Sequence, residues 1–231
     1  MNNRELKVAA DSLDDLTSTR ELLIIGLAEN EELPERLSPL DAALDGLLDS
    51  VISTGDFSGK RGKTVLLYGR ENGPRRICLV GLGEAEKNDD ETVRVAGANA
   101  IKRCLDLGAA TASFDVTSFR RNGIPAGRTA ELLAEAACLA TWKFREYKTK
   151  DENSEKLTDA ELLAEGADLD EVRNGAERGV ITAGATAFAR RLSATPPNDL
   201  YPETFAQHAR EVAERHGWKC TVLDEKELAR L

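Results

Sequence analysis

Arg190-Arg-Leu-Ser-Ala-Thr-Pro-Pro-Asn-Asp-Leu-Tyr-Pro-Glu-Thr-Phe205 divides the chain. Pro196 and Pro197 each fix φ and remove a backbone donor, so the helix arriving through Leu192 cannot pass them. Thr195 and Pro196 both precede a proline and are pushed towards extended conformations. Asn198 and Asp199 supply turn chemistry. Pro202 suits the first position of a new helix, and Glu203 is favourable beside its positive end. Tyr201 lacks a short acceptor side chain, so the cap of that helix must come from elsewhere. On local physics alone this is a connection between domains. Residues before it read as one α/β domain and a connecting helix, and residues after it as the opening of a second α/β unit.

Working back from the connection, strands and helices alternate. Leu6 to Ala10 and Glu21 to Leu27 read as strands, the second apolar throughout, as a strand covered on both faces must be. Asp41 to Leu48 reads as one helix with Leu40, Leu44, Leu47 and Leu48 on a face. Thr64 to Tyr68 and Arg76 to Val80 are strands around the turn signal Glu71-Asn-Gly-Pro74, a candidate hairpin. Asp89 to Leu107 is the clearest helix, with Gly108 as its stop. Thr111 to Val116 is a strand and Pro125 to Phe144 a helix. Glu161 to Gly166 fits either a strand or a helix. Leu169 to Leu192 is a long helix. Beyond the connection, Glu203 to His216 is amphipathic with Phe205, Ala209, Val212 and Ala213 inward, Gly217 stops it, and Trp218 to Leu223 reads as a strand. The alternation implies a three-layer α/β domain on a mixed sheet over residues 1–165, a linker helix over 166–194, and the first helix and strand of an incomplete second α/β domain over 195–231.

The composition sets bounds on function. The 231 residues are 41% hydrophobic and 31% charged, a globular balance, with aromatics at 5%, so Leu, Val, Ile and Ala must build the core. A net charge of −10 disfavours a broad nucleic-acid footprint or an anionic membrane surface. Cys78, Cys104, Cys138 and Cys220 form no Cys-x-x-Cys pair and read as buried free thiols of a reducing compartment. The first residues have no apolar h-region and no run is long enough to span a bilayer, so a cytoplasmic location is expected.

Few groups invite chemistry. His208 and His216, the two histidines, lie eight apart on one predicted helix, whereas ligands on a helix are better placed three or four apart. They read as a solvated face. Gly81 and Gly83 follow a strand as a phosphate loop would, but no third glycine stands at the dinucleotide spacing, which leaves a tight strand-end turn as the ordinary reading and ADP-ribose binding as the minor one. Two basic groups stand out: Lys60-Arg-Gly-Lys63, and Lys143, Arg145, Lys148 and Lys150 interleaved with Trp142, Phe144 and Tyr147. The second could stack bases or grip phosphates, or make a subunit contact.

Three segments carry a resemblance. The stretch through Thr195-Pro-Pro-Asn198 resembles the opening of the catalytic domain of the leucyl aminopeptidase family, the M17 metallopeptidases. Val80-Gly-Leu-Gly-Glu-Ala-Glu-Lys87 and Trp142-Lys-Phe-Arg-Glu-Tyr-Lys-Thr-Lys150 are similar to two segments of its N-terminal domain, in the right order. The resemblance implies a macro-like N-terminal domain, a hexameric parent enzyme, peptide substrates that lose an N-terminal residue (often leucine), and two divalent ions, Mn or Zn, in the parent. Some bacterial relatives also bind DNA. Thr158-Asp-Ala-Glu161 matches part of the family's metal-binding motif, but it stands before Thr195-Pro-Pro-Asn198 and lacks the Gly-Arg-Leu that should follow. It reads as coincidence, on a helix start or loop. None of the family's metal-binding or catalytic positions has a counterpart in residues 1–231, so this chain is expected to hold no metal pair and to be inactive by itself. The other class of function is a free-standing macro-like module binding ADP-ribose or DNA.

Overall fold

The computed structural model describes residues 6–13, 15–69, 73–147 and 157–230. In chain order the elements are β1 (Lys7–Ser12), β2 (Leu23–Ala28), α1 (Ser38–Ala43), α2 (Leu47–Ser53), β3 (Thr64–Tyr68), β4 (Arg76–Gly83), α3 (Asp90–Leu107), β5 (Thr111–Asp115), α4 (Val116–Phe119), α5 (Ala126–Thr141), β6 (Asp159–Ala164), α6 (Leu169–Ala194), α7 (Pro202–His216) and α8 (Glu225–Leu228). They fall into two compact units, Met1–Thr186 and Ala187–Leu231, with the division inside α6.

In the first unit the described strands form one mixed six-stranded sheet, ordered β1-β6-β5-β2-β4-β3. All neighbours are parallel except β3 and β4, which pair antiparallel as the turn signal between them implies. β2 lies inside the sheet and every residue of it is buried. Its side chains alternate between two apolar clusters. Ile24, with Leu22 just before the strand, joins the cluster that includes α3, α5 and the start of α6. Leu23, Ile25 and Leu27 join Leu37, Leu40, Leu44 and Leu48 on the other. Burying a side chain of this size contributes roughly 1.5–3 kcal/mol, so β2 alone anchors both faces.

α3 begins as its sequence suggests. Asp89 accepts from Thr92 N at 2.8 Å, and Gly108 closes the helix in the left-handed region at φ 61°. α5 has no side-chain cap of its own; instead Glu171 Oε1 of α6 accepts from Gly127 N at 3.0 Å. α6 then lies against α5 at glycine-only distances: a Cβ on Gly175 would fall 2.0 Å from the Gly127 carbonyl oxygen.

Four expectations need correction. The helix expected over Asp41 to Leu48 is two helices, because Asp45 and Gly46 turn left-handed at φ 55° and 77°. Asp41 Oδ1 then caps the second by accepting from Leu48 N at 2.8 Å. Thr158-Asp-Ala-Glu161 is no helix start or loop: it leads into β6, held between β1 and β5. Trp218 to Leu223 forms no strand, since the second unit has no neighbouring strand among its described residues to pair with. The cysteines are free, but only Cys78 and Cys104 are buried, and Cys220 is exposed. Burial pushes the Cys78 thiol up to about 12, which makes it inert.

In the second unit, α7 starts at Pro202 without a tyrosine cap. Thr204 Oγ1 accepts from Tyr201 N at 2.9 Å instead. Gly217 ends the helix at φ 67°. Of its expected inward face only Ala213 is buried, while Phe205 is 54% exposed.

Candidate functional site

In open parallel sheets, ligands bind at the carboxyl ends of adjacent strands whose following connections leave to opposite faces. Here β2 meets this condition with both its neighbours, β4 and β5, and the β5 side is closed by a buried aspartate. The chain after β2 leads to Leu37, Leu40 and Leu44 on one face, and the chain after β5 leads to α4 and α5 on the other.

That crevice is filled by the protein itself. Asp115 ends β5 with a fully buried side chain, and Arg36 Nη2, from the turn before α1, donates to its Oδ2 at 2.6 Å. Asp115 Oδ1 is buried with no hydrogen-bond partner. Burial pushes this carboxyl above the ordinary range, and Arg36 and Ser118 oppose the shift without cancelling it. Ser118 Oγ donates to the Asp115 carbonyl at 2.7 Å and accepts from Gly26 N at 2.9 Å. Gly26 leaves room for this: a Cβ there would meet the Ser118 carbonyl at 3.1 Å and the Phe119 ring at 3.2 Å. Glu31 Oε2 accepts from Ala28 N at 2.6 Å and from Arg121 Nη2 at 2.8 Å. Asn122 Nδ2 donates to the carbonyls of Ala85 and Asn88 at 2.9 and 2.8 Å. The loops after β2, β4 and β5 are thus tied to one another around α4 by two ion pairs and the Asn122 bonds. None of Arg36, Asp115, Glu31 or Arg121 stood out in the sequence. The available signal was an aspartate closing the apolar strand Thr111 to Val116.

The groups that did stand out are scattered. Gly81 and Gly83 sit at the end of β4, and both amides are committed: Gly81 N donates to the Lys63 carbonyl at 2.8 Å and Gly83 N to that of Gly59 at 2.9 Å. Neither is available to a phosphate. Lys143 is exposed and Arg145 half-buried just past α5, where the Phe144 and Tyr147 rings lie 5.7 Å apart. Lys148 and Lys150 lie outside the described residues. Glu161 of the partial metal motif is already engaged, accepting from Ser113 Oγ at 2.5 Å and lying 3.4 Å from Arg20 Nη1.

In the second unit the histidines diverge. His208 meets the Phe188 ring edge-on at 6.4 Å, and His216 stacks on Trp218 at 4.9 Å. Phe188, Leu192, Phe205, Val212 and Trp218 line an open, largely apolar depression of about 430 Å³. Trp218 is 65% exposed. Among the described residues no three His, Cys, Asp or Glu side chains are grouped to hold a metal ion, so the described residues do not fit a metal pair. No described helix is long and apolar enough to cross a membrane.

Comparison with known proteins gives both units a context. Residues 24–151 match the N-terminal domain of the cytosol aminopeptidase family, and residues 187–231 match its catalytic domain. A probable cytosol aminopeptidase of Roseiflexus castenholzii is 33% identical over 96% of this chain and 44% of its own length. One from Desulfovibrio desulfuricans is 36% identical over 90% of this chain and 42% of its own. The chain therefore spans less than half the length of these relatives. A solved tomato leucine aminopeptidase variant superposes with a TM-score of 0.78 at 22% identity, covering 98% of this chain and 46% of its own. The bottromycin maturation enzyme BotP does so with a TM-score of 0.68 at 23% identity, over 91% of this chain and 40% of its own. The N-terminal match precedes the catalytic-domain match, which contains Thr195-Pro-Pro-Asn198, and the chain belongs to the cytosol aminopeptidase family.

Proposed function

We propose that residues 1–231 are the assembly and access-shaping part, and the opening of the catalytic domain, of a leucyl aminopeptidase-like metallo-exopeptidase that removes N-terminal residues, often leucine, from peptides. The observation that carries this reading is the ordered pair of family matches, N-terminal domain then catalytic domain. The mixed sheet with apolar clusters on both faces supports a macro-like domain over 1–165, followed by a linker helix over 166–194 and the start of the catalytic domain over 195–231. The exposed apolar side chains of the second unit are what the first helix of a larger α/β domain would present to its remainder.

In this reading the parent is a cytoplasmic hexamer. Its two divalent ions, Mn or Zn, are held by side chains outside residues 1–231, and this chain neither holds them nor hydrolyses peptide. The ion pairs and hydrogen bonds that close the crevice between β2 and β5 favour this reading over a free-standing ADP-ribose module. A chimera tests the reading. Residues 1–231 are joined to the remainder of the catalytic domain of the Roseiflexus castenholzii relative. The expected product is a folded protein that releases leucine from leucine amide when Mn²⁺ is supplied. A folded chimera that is inactive, beside an active intact relative, would overturn it.

A further inference from the structure

Between α2 and β3 the chain places three cations in four residues, Lys60-Arg-Gly-Lys63. The backbone beneath them is fixed. Phe57 anchors the approach in the core, and Gly59 and Gly62 turn left-handed at φ 69° and 78°. Lys63 N donates to the Lys60 carbonyl at 3.0 Å, Gly62 N to that of Gly81 at 3.1 Å, and Gly81 N returns a bond to Lys63 at 2.8 Å. The fit allows no slack: a Cβ on Gly59 would fall 2.0 Å from the Ala28 carbonyl oxygen, and one on Gly81 2.1 Å from that of Lys60. The turn cannot shift without opening the end of the sheet.

Its side chains are otherwise unused. Lys60, Arg61 and Lys63 are exposed and make no hydrogen bond or ion pair with any described residue. Acids outnumber bases 41 to 31 in the chain. Elsewhere in the unit Arg36, Arg94, Arg120, Arg121 and Arg128 all hold carboxylates. The nearest acidic loop is largely engaged elsewhere: Glu84 pairs with Lys87 at 2.8 Å, and Asp89, although it feels the charge of Arg61, is hydrogen-bonded to Thr92. Three cations on an immobile base have part of the ordering cost of binding already removed.

We propose that the Lys60–Lys63 turn is a docking surface for a carboxylate-rich segment of a partner polypeptide, with the Arg61 fork taking one carboxylate and the two lysines flanking it. A planar guanidinium suits a carboxylate side-on, and lysines add point charges without demanding geometry. A nucleic-acid track would need a longer row of cations and stacking rings. Beyond the turn the chain instead carries Glu84, Glu86, Asp89 and Asp90, which would repel any polyanion long enough to run past the three cations. A short acidic segment needs only these three cations.

The test uses the 231-residue chain and a fluorescein-labelled hexaglutamate peptide at low salt. Saturable binding that weakens with added salt is expected. The variant Lys60→Gln, Arg61→Gln, Lys63→Gln should lose about tenfold in affinity, the sum of three modest exposed pairs. A control variant, Lys102→Gln, Lys143→Gln, Lys219→Gln, changes the net charge equally and should lose less than about twofold. An unchanged urea midpoint shows that the turn variant is folded. Equal losses in the two variants, absence of saturable binding, or an oligothymidylate that outcompetes the peptide would each overturn the proposal.

Discussion

Gly175→Val is expected to lower the urea midpoint of the first unit by about 1–2 M, a loss of about 3 kcal/mol. α5 and α6 cross at backbone contact. A Cβ on Gly175 would lie 2.0 Å from the Gly127 carbonyl oxygen, and one on Gly179 would lie 2.3 Å from that of Glu131. These atoms belong to helix backbone, so no side chain can rotate away to make room. The two helices would have to separate. Separation also draws Glu171 Oε1 from Gly127 N, which it meets at 3.0 Å, and leaves the first turn of α5 without its cap. It further exposes Val172 and Ala176, both buried against the core. Gly184 supplies the control within the same helix, since nothing lies within 4 Å of a Cβ there. Gly184→Ala should stabilise by up to about 1 kcal/mol, through helix propensity alone. A Gly175→Val protein as stable as the parent would mean that α6 does not pack on α5 as described.

Arg36→Ala should cost about 3 kcal/mol at neutral pH, because it strands the Asp115 carboxylate in the core. The figure is at the low end for a buried pair, since the Arg36 side chain is 29% exposed and water can reach it. The loss should depend on pH. Burial already holds the Asp115 carboxyl above its ordinary value of 3.8, so the folded protein binds that proton more tightly than the unfolded chain. Ionising Asp115 therefore lowers stability as pH rises from 3.8 towards the folded value. Removing Arg36 takes away an opposing influence and raises the folded value further. The deficit of Arg36→Ala relative to the parent should then be smaller at pH 5 than at pH 8, as read from paired urea midpoints. Asp115→Asn removes the burial cost together with the attraction and should stay close to the parent. A deficit that does not change with pH would contradict the buried pairing.

Much of the fold was legible because its signals are local. The apolar run of β2, the Asp89 and Gly108 ends of α3 and the prolines after α6 each act within a few residues. The errors came where distant contacts or backbone conformation decide. Leu40, Leu44, Leu47 and Leu48 keep helical spacing across Asp45-Gly46, so the left-handed break is hidden behind a sound pattern. The Asp159-Ala-Glu161 start of β6 looks too polar for an inner strand. It is a strand because β1 and β5 pair with it from both sides, and because Ser113 and Arg20 take up Glu161. Trp218 to Leu223 has strand composition but no partner strand among the described residues of its unit. The crevice was illegible for a related reason: Arg36 and Asp115 are 79 residues apart, and only the sheet order brings them together. Gly81 and Gly83 were visible but misleading, since their amides donate to the Lys63 and Gly59 carbonyls and not to a ligand.

Residues 1–231 are proposed to contain no peptidase centre. The most direct measurement is leucine release from leucine amide by the purified chain with added Mn²⁺. No release above that of the metal-containing buffer is expected. Release that scales with protein concentration and stops on chelation would contradict it, and would place a metal-binding catalytic site within residues 1–231.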